Sequence, residues 1–104
     1  PFGVMGGFMQ PQGHVQVLSA MIDRALNPQT ALDMPRWRWD EGLKVAFEAE
    51  ADAKVVAALK ERGHDIEENG AAAGFGRGQI IIKDEAGTLY AGTEKRCDGC
   101  VAAY

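Results

Sequence analysis

The chain has 104 residues, of which 46% are hydrophobic, and a formal net charge of −4. This length predicts one small domain or a piece of a larger one, and the hydrophobic share excludes a disordered tail. The 11 Lys and Arg residues are scattered, which argues against nucleic acid as a partner, and no apolar run reaches the roughly 20 residues that would cross a membrane. Residues 1–4 show no signal-peptide pattern, and the compartment, cytoplasmic or periplasmic, stays open.

The first third of the chain predicts a strand and two helices. Apolar residues at 2–5 predict a buried strand that ends at two adjacent glycines, Gly6 and Gly7. A helix is predicted over 12–26, and Asn27-Pro28 predicts a capped second helix that runs to residue 33. The first helix is predicted to turn an apolar face to the core, formed by Leu18, Met21, Ile22, Ala25 and Leu26.

The rest of the chain predicts a half-buried strand, a helix, a short edge strand and a hairpin. In this order they cover residues 43–47, 51–62, 64–68 and 79–91. In the first of these strands Val45 and Phe47 are predicted to face inward, and Ala46 outward. The elements together predict an α+β fold, with a small antiparallel-rich sheet against two main helices.

The glycine pair is the most informative local feature of the chain. Glycine takes backbone angles closed to other residues and leaves the neighbouring N–H groups uncovered by side chains. A strand, two bare amides and a following helix can bind a carboxylate, a phosphate or a developing oxyanion. A tight turn with no ligand is the alternative interpretation of Gly6 and Gly7.

Several motifs in a fixed order resemble the C-terminal part of the γ-glutamyltransferases, which are also called glutathione hydrolases. They are MGGFMQPQGHVQVL, NPQTALDMPRWRW, LKERGHDIEE, GFGRGQ, GTLYAG and a late Asp-Gly step, at residues 5–18, 27–39, 59–68, 74–79, 87–92 and 98–99. The resemblance covers essentially the whole chain. It implies that residues 1–104 form a single domain, the C-terminal segment of the family's small-subunit region, and a part of the αββα sandwich of the N-terminal-nucleophile hydrolases.

The same resemblance implies roles for the glycine pair. Gly6 and Gly7 match the glycines whose backbone N–H groups hold the oxyanion during γ-glutamyl transfer. Phe8 is a departure, because many relatives have a small or acidic residue there, and it is expected to reshape the acceptor side of the substrate site. The implied reaction is acyl transfer from a γ-glutamyl amide such as glutathione, without a metal or an organic cofactor.

The nucleophile is expected to lie outside this chain. Enzymes of this superfamily use a Thr, Ser or Cys freed at a new N-terminus, and this chain starts with Pro1. Ser19 lies in mid-helix without a nearby base, and Thr30, Thr88 and Thr93 have no better claim. The chain alone is therefore predicted to be inactive, with the rest of the parent polypeptide as its partner. A piece cut from a sandwich is also predicted to self-associate through exposed apolar surface.

Other polar residues near the motifs receive secondary roles. His14 is interpreted as a capping or supporting histidine rather than a base, and Gln10 and Gln12 as residues that line the same loop. Arg36 is interpreted as a structural residue that stacks and pairs beside two tryptophans, rather than as a carboxylate clamp.

Cys97 and Cys100 form a CxxC pair that allows a different hypothesis. Zinc sites use this spacing but need two further ligands, and redox pairs open a helix after a strand. Incidental thiols are the favoured interpretation. Two alternatives to an enzyme segment therefore stay open: a non-catalytic interaction module derived from the family, and a metal or redox protein built on these cysteines.

Overall fold

A computed structural model of the chain describes residues 1–103 and shows the expected α+β class. The strands are β1 (Phe2–Met5), β2 (Trp37–Glu41), β3 (Lys44–Phe47), β4 (Asp65–Glu67), β5 (Arg77–Lys83) and β6 (Leu89–Thr93). The helices are α1 (Gln10–Ile22), α2 (Pro28–Asp33) and α3 (Ala53–Glu61). Two short 3-10 turns, Gly7–Met9 and Ala72–Phe75, complete the described elements. No helix within residues 1–103 is long and apolar enough to traverse a bilayer.

The strands of this described part form two three-stranded sheets. One has the order β1-β5-β6 and is antiparallel throughout, with Val4 opposite Gly78 and Ile80 opposite Gly92. The other has the order β2-β3-β4, in which β2 is antiparallel and β4 parallel to β3. The prediction of mainly antiparallel strands packed with helices is confirmed. The sequence did not indicate that the strands divide into two sheets.

Helix α2 begins and ends for the reasons that its sequence suggested. The Asn27 side chain accepts a hydrogen bond from the Thr30 amide over 2.9 Å, and Pro28 follows at the first helical position. Pro35 pushes Met34 into an extended conformation, with ψ at 139°, so the helix ends there. The chain then enters β2 through Arg36.

The predicted core face of α1 is only partly right, because Met21 packs against the core but Ile22 and Ala25 are exposed. The helix runs from Gln10 to Ile22, and its buried residues are Gly13, Val17 and Ala20. Ile22 is 73% exposed, because β1 lies against the other side of the helix. There Val4 approaches Gly13 so closely that a Cβ at position 13 would be 2.7 Å from the Val4 methyl carbon. The apolar periodicity of the sequence therefore includes residues that stay exposed.

The predicted alternation in β3 is also wrong in one respect. Val45 and Phe47 are buried as expected, but Ala46 is fully buried as well. Its small side chain packs with Met9 and Phe75, while Val45 and Phe47 pack with Val56 of α3. Both faces of this central strand are covered, so a period of two does not appear in its burial.

Candidate active site

The glycine pair lies at the junction between β1 and α1. Gly6 has φ 151° and ψ 26°, and Gly7 has φ 57°, so both have positive φ, a region that favours glycine. Gly7 starts the 3-10 turn that runs directly into α1, and the Gly6 carbonyl accepts from the Met9 amide over 3.0 Å. The chain thus reverses within a few residues and exposes its backbone at the turn.

The amides of this pair have no hydrogen-bond acceptor in the part of the chain that the structure describes. Among the described residues, neither the Gly6 nor the Gly7 N–H donates to a backbone or side-chain acceptor. Both residues are exposed. Buried amides are nearly always paired, whereas exposed and uncommitted ones are available to an anion or an oxyanion.

Gly76 supports the pair from behind. A Cβ built on Gly6 would lie 2.9 Å from the Gly76 Cα, and one built on Gly76 would lie 2.8 Å from the Met5 carbonyl oxygen. Two glycine backbones therefore meet where a side chain on either residue would separate them. Gly76 belongs to the GFGRGQ motif, and this contact gives that glycine a specific role.

A buried charge cluster holds Gly76 in place. Arg36 donates through Nη1 to the carbonyls of Phe75 and Gly76, over 3.0 and 3.1 Å, and through Nη2 to Glu94 over 2.8 Å. Arg96 binds Glu94 through one terminal nitrogen and Glu48 through Nε and the other. Two arginines and two glutamates are thus paired with almost no exposure to water. We call Arg36, Glu48, Glu94 and Arg96 the charge cluster.

Burial and ion pairing have opposite effects on the pKa values of the cluster, because burial disfavours the charged forms and pairing favours them. Burial disfavours the charged form of Glu94, yet its pKa lies below the ordinary value because the Gly78 amide, Arg36 and Arg96 all stabilise the carboxylate. Burial, together with the nearby charge of Arg96, lowers the pKa of Arg36, which remains a cation paired with Glu94. The pairing therefore favours the carboxylate form of Glu94, which serves the cluster as a structural ion.

The prediction that Arg36 pairs as a structural residue agrees with this geometry, but the tryptophans play no part in it. Trp37 and Trp39 are 39% and 50% exposed. The cation–π contact of this region is made by Arg38, whose guanidinium carbon lies 5.4 Å from the centre of the Phe75 ring. Glu94 and Arg96 were missed because their partners Arg36 and Glu48 lie 58 and 48 residues away, and no local pattern indicates such pairing.

The glutamines near the pair bind strand β2. Gln12 and Gln16 of α1 each accept from a backbone N–H and donate to the carbonyl of the same residue, Trp39 for Gln12 and Trp37 for Gln16. The side-chain amides of Gln12 and Gln16 thus make the hydrogen bonds that a neighbouring strand would otherwise make along the edge of β2. Gln10, which was predicted to line the loop together with Gln12, offers its carbonyl oxygen to His14 over 2.6 Å.

Phe8 is fully exposed, at 101% of its reference area, directly after the two amides. The chain turns at Gly7–Met9 so that Met9 enters the core while Phe8 points away from it. A phenylalanine ring that is completely exposed to solvent is unusual in a small domain.

The hydroxyl and thiol side chains of the described residues show no arrangement typical of a catalytic nucleophile. Ser19 donates to Asp23 one helical turn away, and Thr30 and Thr88 are exposed. Cys97 and Cys100 are both free thiols. Within residues 1–103, no group of three or more His, Cys, Asp or Glu side chains could hold a metal ion, so the CxxC pair gains no further ligands there.

Comparison with known proteins extends the resemblance. The family model for gamma-glutamyltranspeptidase matches residues 1–104. The glutathione hydrolase-like YwrD proenzyme of Bacillus subtilis (strain 168) is 35% identical over 106 residues, which cover 94% of this chain and 20% of the relative. The oxamate amidohydrolase proenzyme of Klebsiella pneumoniae is 29% identical over 112 residues, covering 99% of this chain and 21% of the relative. The chain therefore spans about a fifth of the length of the curated relatives it matches.

Solved structures show the same fold. A cephalosporin acylase from Bacillus halodurans is 54% identical with a TM-score of 0.96, and the match covers 100% of this chain and 20% of that one. A gamma-glutamyltranspeptidase from Pseudomonas nitroreducens, at 23% identity, has a TM-score of 0.85 over 99% of this chain and 54% of its own. The expected part of an N-terminal-nucleophile hydrolase fold is thereby confirmed. On its sequence and its structure alike, this chain belongs to the gamma-glutamyltranspeptidase family.

Proposed function

We propose that residues 1–104 are the C-terminal segment of an amide-cleaving enzyme that works through an acyl-enzyme, and that Gly6 and Gly7 supply its oxyanion site. The observation that carries the proposal is the pair of exposed N–H groups without a protein acceptor among the described residues. Preorganised backbone donors stabilise the negative charge that develops as an amide carbonyl is attacked. Because the donors are main-chain groups held by Gly76, they need little rearrangement during the reaction.

The nucleophile, in this proposal, comes from the rest of the parent polypeptide. The relatives are proenzymes of which this chain covers 20% and 21%, so most of their length lies elsewhere. Ser19 is engaged with Asp23 in mid-helix, and no threonine within residues 1–103 makes a hydrogen bond from its hydroxyl to a base. The segment alone then brings oxyanion donors without a group that attacks the amide.

The substrate is proposed to be a small amide with an acidic acyl group. The relatives are named for glutathione, oxamate and cephalosporin, and each of these compounds contains both an amide and a carboxylate. Phe8 follows the donors directly and is proposed to contact the leaving or acceptor side of the substrate. A γ-glutamyl anilide, oxamate and an N-acylated cephalosporin form the matching assay panel.

The test removes one donor at a time from the full-length parent enzyme. Replacing Gly6 or Gly7 by glycolic acid turns the amide N–H into an ester oxygen and adds no side chain. Each replacement of a true oxyanion donor is expected to lower kcat by about 10²–10³ with a small change in KM.

Gly42 provides the matched control for this experiment. It is an exposed glycine with φ 48° at the turn between β2 and β3, and its amide also donates to no acceptor within residues 1–103. An ester at this position should leave kcat unchanged. Wild-type kcat in both the Gly6 and the Gly7 esters would refute the oxyanion role. Turnover of a γ-glutamyl anilide by the purified 104-residue chain would refute the proposal that the nucleophile comes from elsewhere.

A further inference from the structure

His14 joins α1 to β1 on the two sides of the glycine pair. Its Nδ1 lies 2.6 Å from the carbonyl oxygen of Gln10. A carbonyl only accepts, so Nδ1 carries a proton, and Nε2 can accept from a backbone N–H only through its lone pair. That lone pair faces the Val4 N–H, which donates to it over 3.4 Å, at the long end of the hydrogen-bond range.

The Val4 amide has no partner within its own sheet. β1 is an edge strand, paired only with β5. The Ile81 amide donates to the Pro1 carbonyl, and hydrogen-bonded pairs alternate along antiparallel strands, so the residues of β1 that bond to β5 are the odd-numbered ones. The N–H of Val4 therefore points away from β5, and His14 is the acceptor that satisfies it.

The ring of His14 is itself fixed in orientation. Phe2 meets it edge to face, with ring centroids 5.3 Å apart and planes at 62°. Behind this contact, Val4 is pressed against Gly13, the residue before His14. The strand and the helix are thus joined at Val4 and His14, and residues 5–13 form a loop closed by their hydrogen bond.

Gly6 and Gly7 lie inside this closed loop. Gly76 limits the movement of Gly6 on one side, and Met9 limits it within the loop. A Cβ built on Gly6 would lie 3.3 Å from the Cβ of Met9. His14 adds the side-chain hydrogen bond that joins β1 to α1 across this loop, and its loss is expected to let the peptide planes of the pair turn. Donors displaced by about 1 Å are expected to lose much of their effect on the rate.

We propose that His14, as the neutral Nδ1–H tautomer, is a positioning residue that sets the direction of the Gly6 and Gly7 amides by accepting the Val4 N–H. This inference rests on the proposed oxyanion role for its effect on catalysis, but its structural part is independent of that role. In this proposal the His14 side chain contacts neither the substrate nor the reacting atoms.

Two variants of the full-length parent enzyme isolate the Val4 contact. In His14→Gln the side-chain oxygen reaches as far as Nε2, and Gln12 and Gln16 already accept strand N–H groups from this helix. In His14→Asn the amide reaches only as far as Nδ1, so the bond to Val4 is lost. Gln16→Ala is the control, because it removes a helix-to-strand bridge of the same kind at Trp37.

His14→Asn is expected to lower kcat by about ten- to a hundredfold with KM nearly unchanged, and His14→Gln to restore most of it. Crystal structures of the variants should show the glycine pair rotated in His14→Asn and in its original place in His14→Gln. An unmoved pair in His14→Asn would overturn the inference. A kcat loss of equal size in Gln16→Ala would also do so, since it would reduce the effect to general destabilisation.

The structural readout separates this inference from the proposed function. If the pair rotates in His14→Asn while kcat stays at the wild-type level, positioning by His14 stands and the oxyanion role of the amides fails. If the Gly6 and Gly7 esters lose activity while His14→Asn leaves the pair in place, the oxyanion role stands and positioning by His14 fails.

Discussion

Arg36 and Glu94 form a salt bridge of 2.8 Å with side chains only 2% and 0% exposed, and they connect three separate segments of the chain. Arg36 enters β2, Glu94 follows β6, and Arg36 also holds the carbonyl of Gly76 before β5. Gly76 lies against Gly6, so this ion pair contacts the proposed oxyanion donors through a single intervening residue, Gly76. The glycine pair of the proposed site is therefore supported, through Gly76, by a buried cluster of ion pairs.

Breaking this pair from one side should cost far more than breaking an exposed pair. Arg36→Met leaves Glu94 buried with one cation fewer, and we expect the free energy of unfolding to fall by about 3–5 kcal/mol. Urea unfolding followed by tryptophan fluorescence measures it. In a double-mutant cycle with Glu94→Gln, the double variant should be less destabilised than the sum of the single ones by about 1–3 kcal/mol.

Lys60→Met provides the exposed comparison for that cycle. Lys60 pairs with Glu68, and their side chains are 47% and 51% exposed. Its loss should change the free energy of unfolding by less than about 1 kcal/mol. Equal losses in Arg36→Met and Lys60→Met would show that the charge cluster does not stabilise the fold.

Stability should fall in acid with a contribution from Glu94. Its pKa is held below the ordinary value against the opposing effect of burial, so the folded state binds its proton less readily than the unfolded chain does. This stabilisation is complete above the ordinary carboxyl pKa of about 4.3 and is lost as the pH falls through the lower folded value. Urea unfolding at a series of pH values should show a shallower acid decline in Glu94→Gln than in the wild type, and identical slopes would contradict this origin.

The two glycines of the pair should respond differently to alanine. A Cβ at position 7 meets nothing within 4 Å, so Gly7→Ala carries only the strain of a positive φ, about 1–2 kcal/mol. A Cβ at position 6 meets backbone at 2.9 Å, which cannot retreat as a flexible side chain would. Thermal unfolding should therefore place Gly6→Ala clearly below Gly7→Ala, and the reverse order would show that Gly76 does not support the pair.

The sequence predicted the local elements well because their signals are local. The Asn27-Pro28 cap, the stop at Pro35 and the strand that ends at Gly6 each depend on neighbouring residues, and the structure has all three. The burial of Ala46 and the exposed side of α1 depend on which elements pack together, and periodicity carries no information about that. The resemblance to a family could indicate the glycines, but it could not indicate their supports.

The supports lie far away in the sequence. Gly76 is 70 residues from Gly6, and Glu94 is 58 residues from Arg36. Pairs at this separation leave no trace in spacing or composition. The sequence predicts His14 as a capping or supporting residue near the helix start, but its contact with the Val4 N–H depends on the unpaired edge of β1, which only the sheet order reveals.

Phe8 should matter for substrates and hardly at all for stability. Its ring is fully exposed, so Phe8→Ala is expected to change the free energy of unfolding by less than about 0.5 kcal/mol. In the full-length enzyme, loss of one aromatic contact of about 1 kcal/mol should raise KM roughly fivefold for an anilide and leave an alkyl amide nearly unchanged. Val55→Ala, a half-exposed apolar change on α3, is the control. An equal change in KM for both substrates on going from the wild type to Phe8→Ala would exclude a contact with the leaving side.

The face of the β1-β5-β6 sheet turned away from α1 should cause the isolated chain to associate. Met5, Ile81 and Leu89 lie on this face at 60%, 45% and 65% exposure, beside a concavity of about 870 Å³. Arg77, Gln79 and Lys83 share this face, but exposed apolar residues on an open sheet with a free edge still favour pairing with another copy. Light scattering of the 104-residue chain should show a mass that rises with concentration. Ile81→Lys should reduce the association and Val55→Lys should not, whereas a monomer at every concentration would show that this face needs no cover.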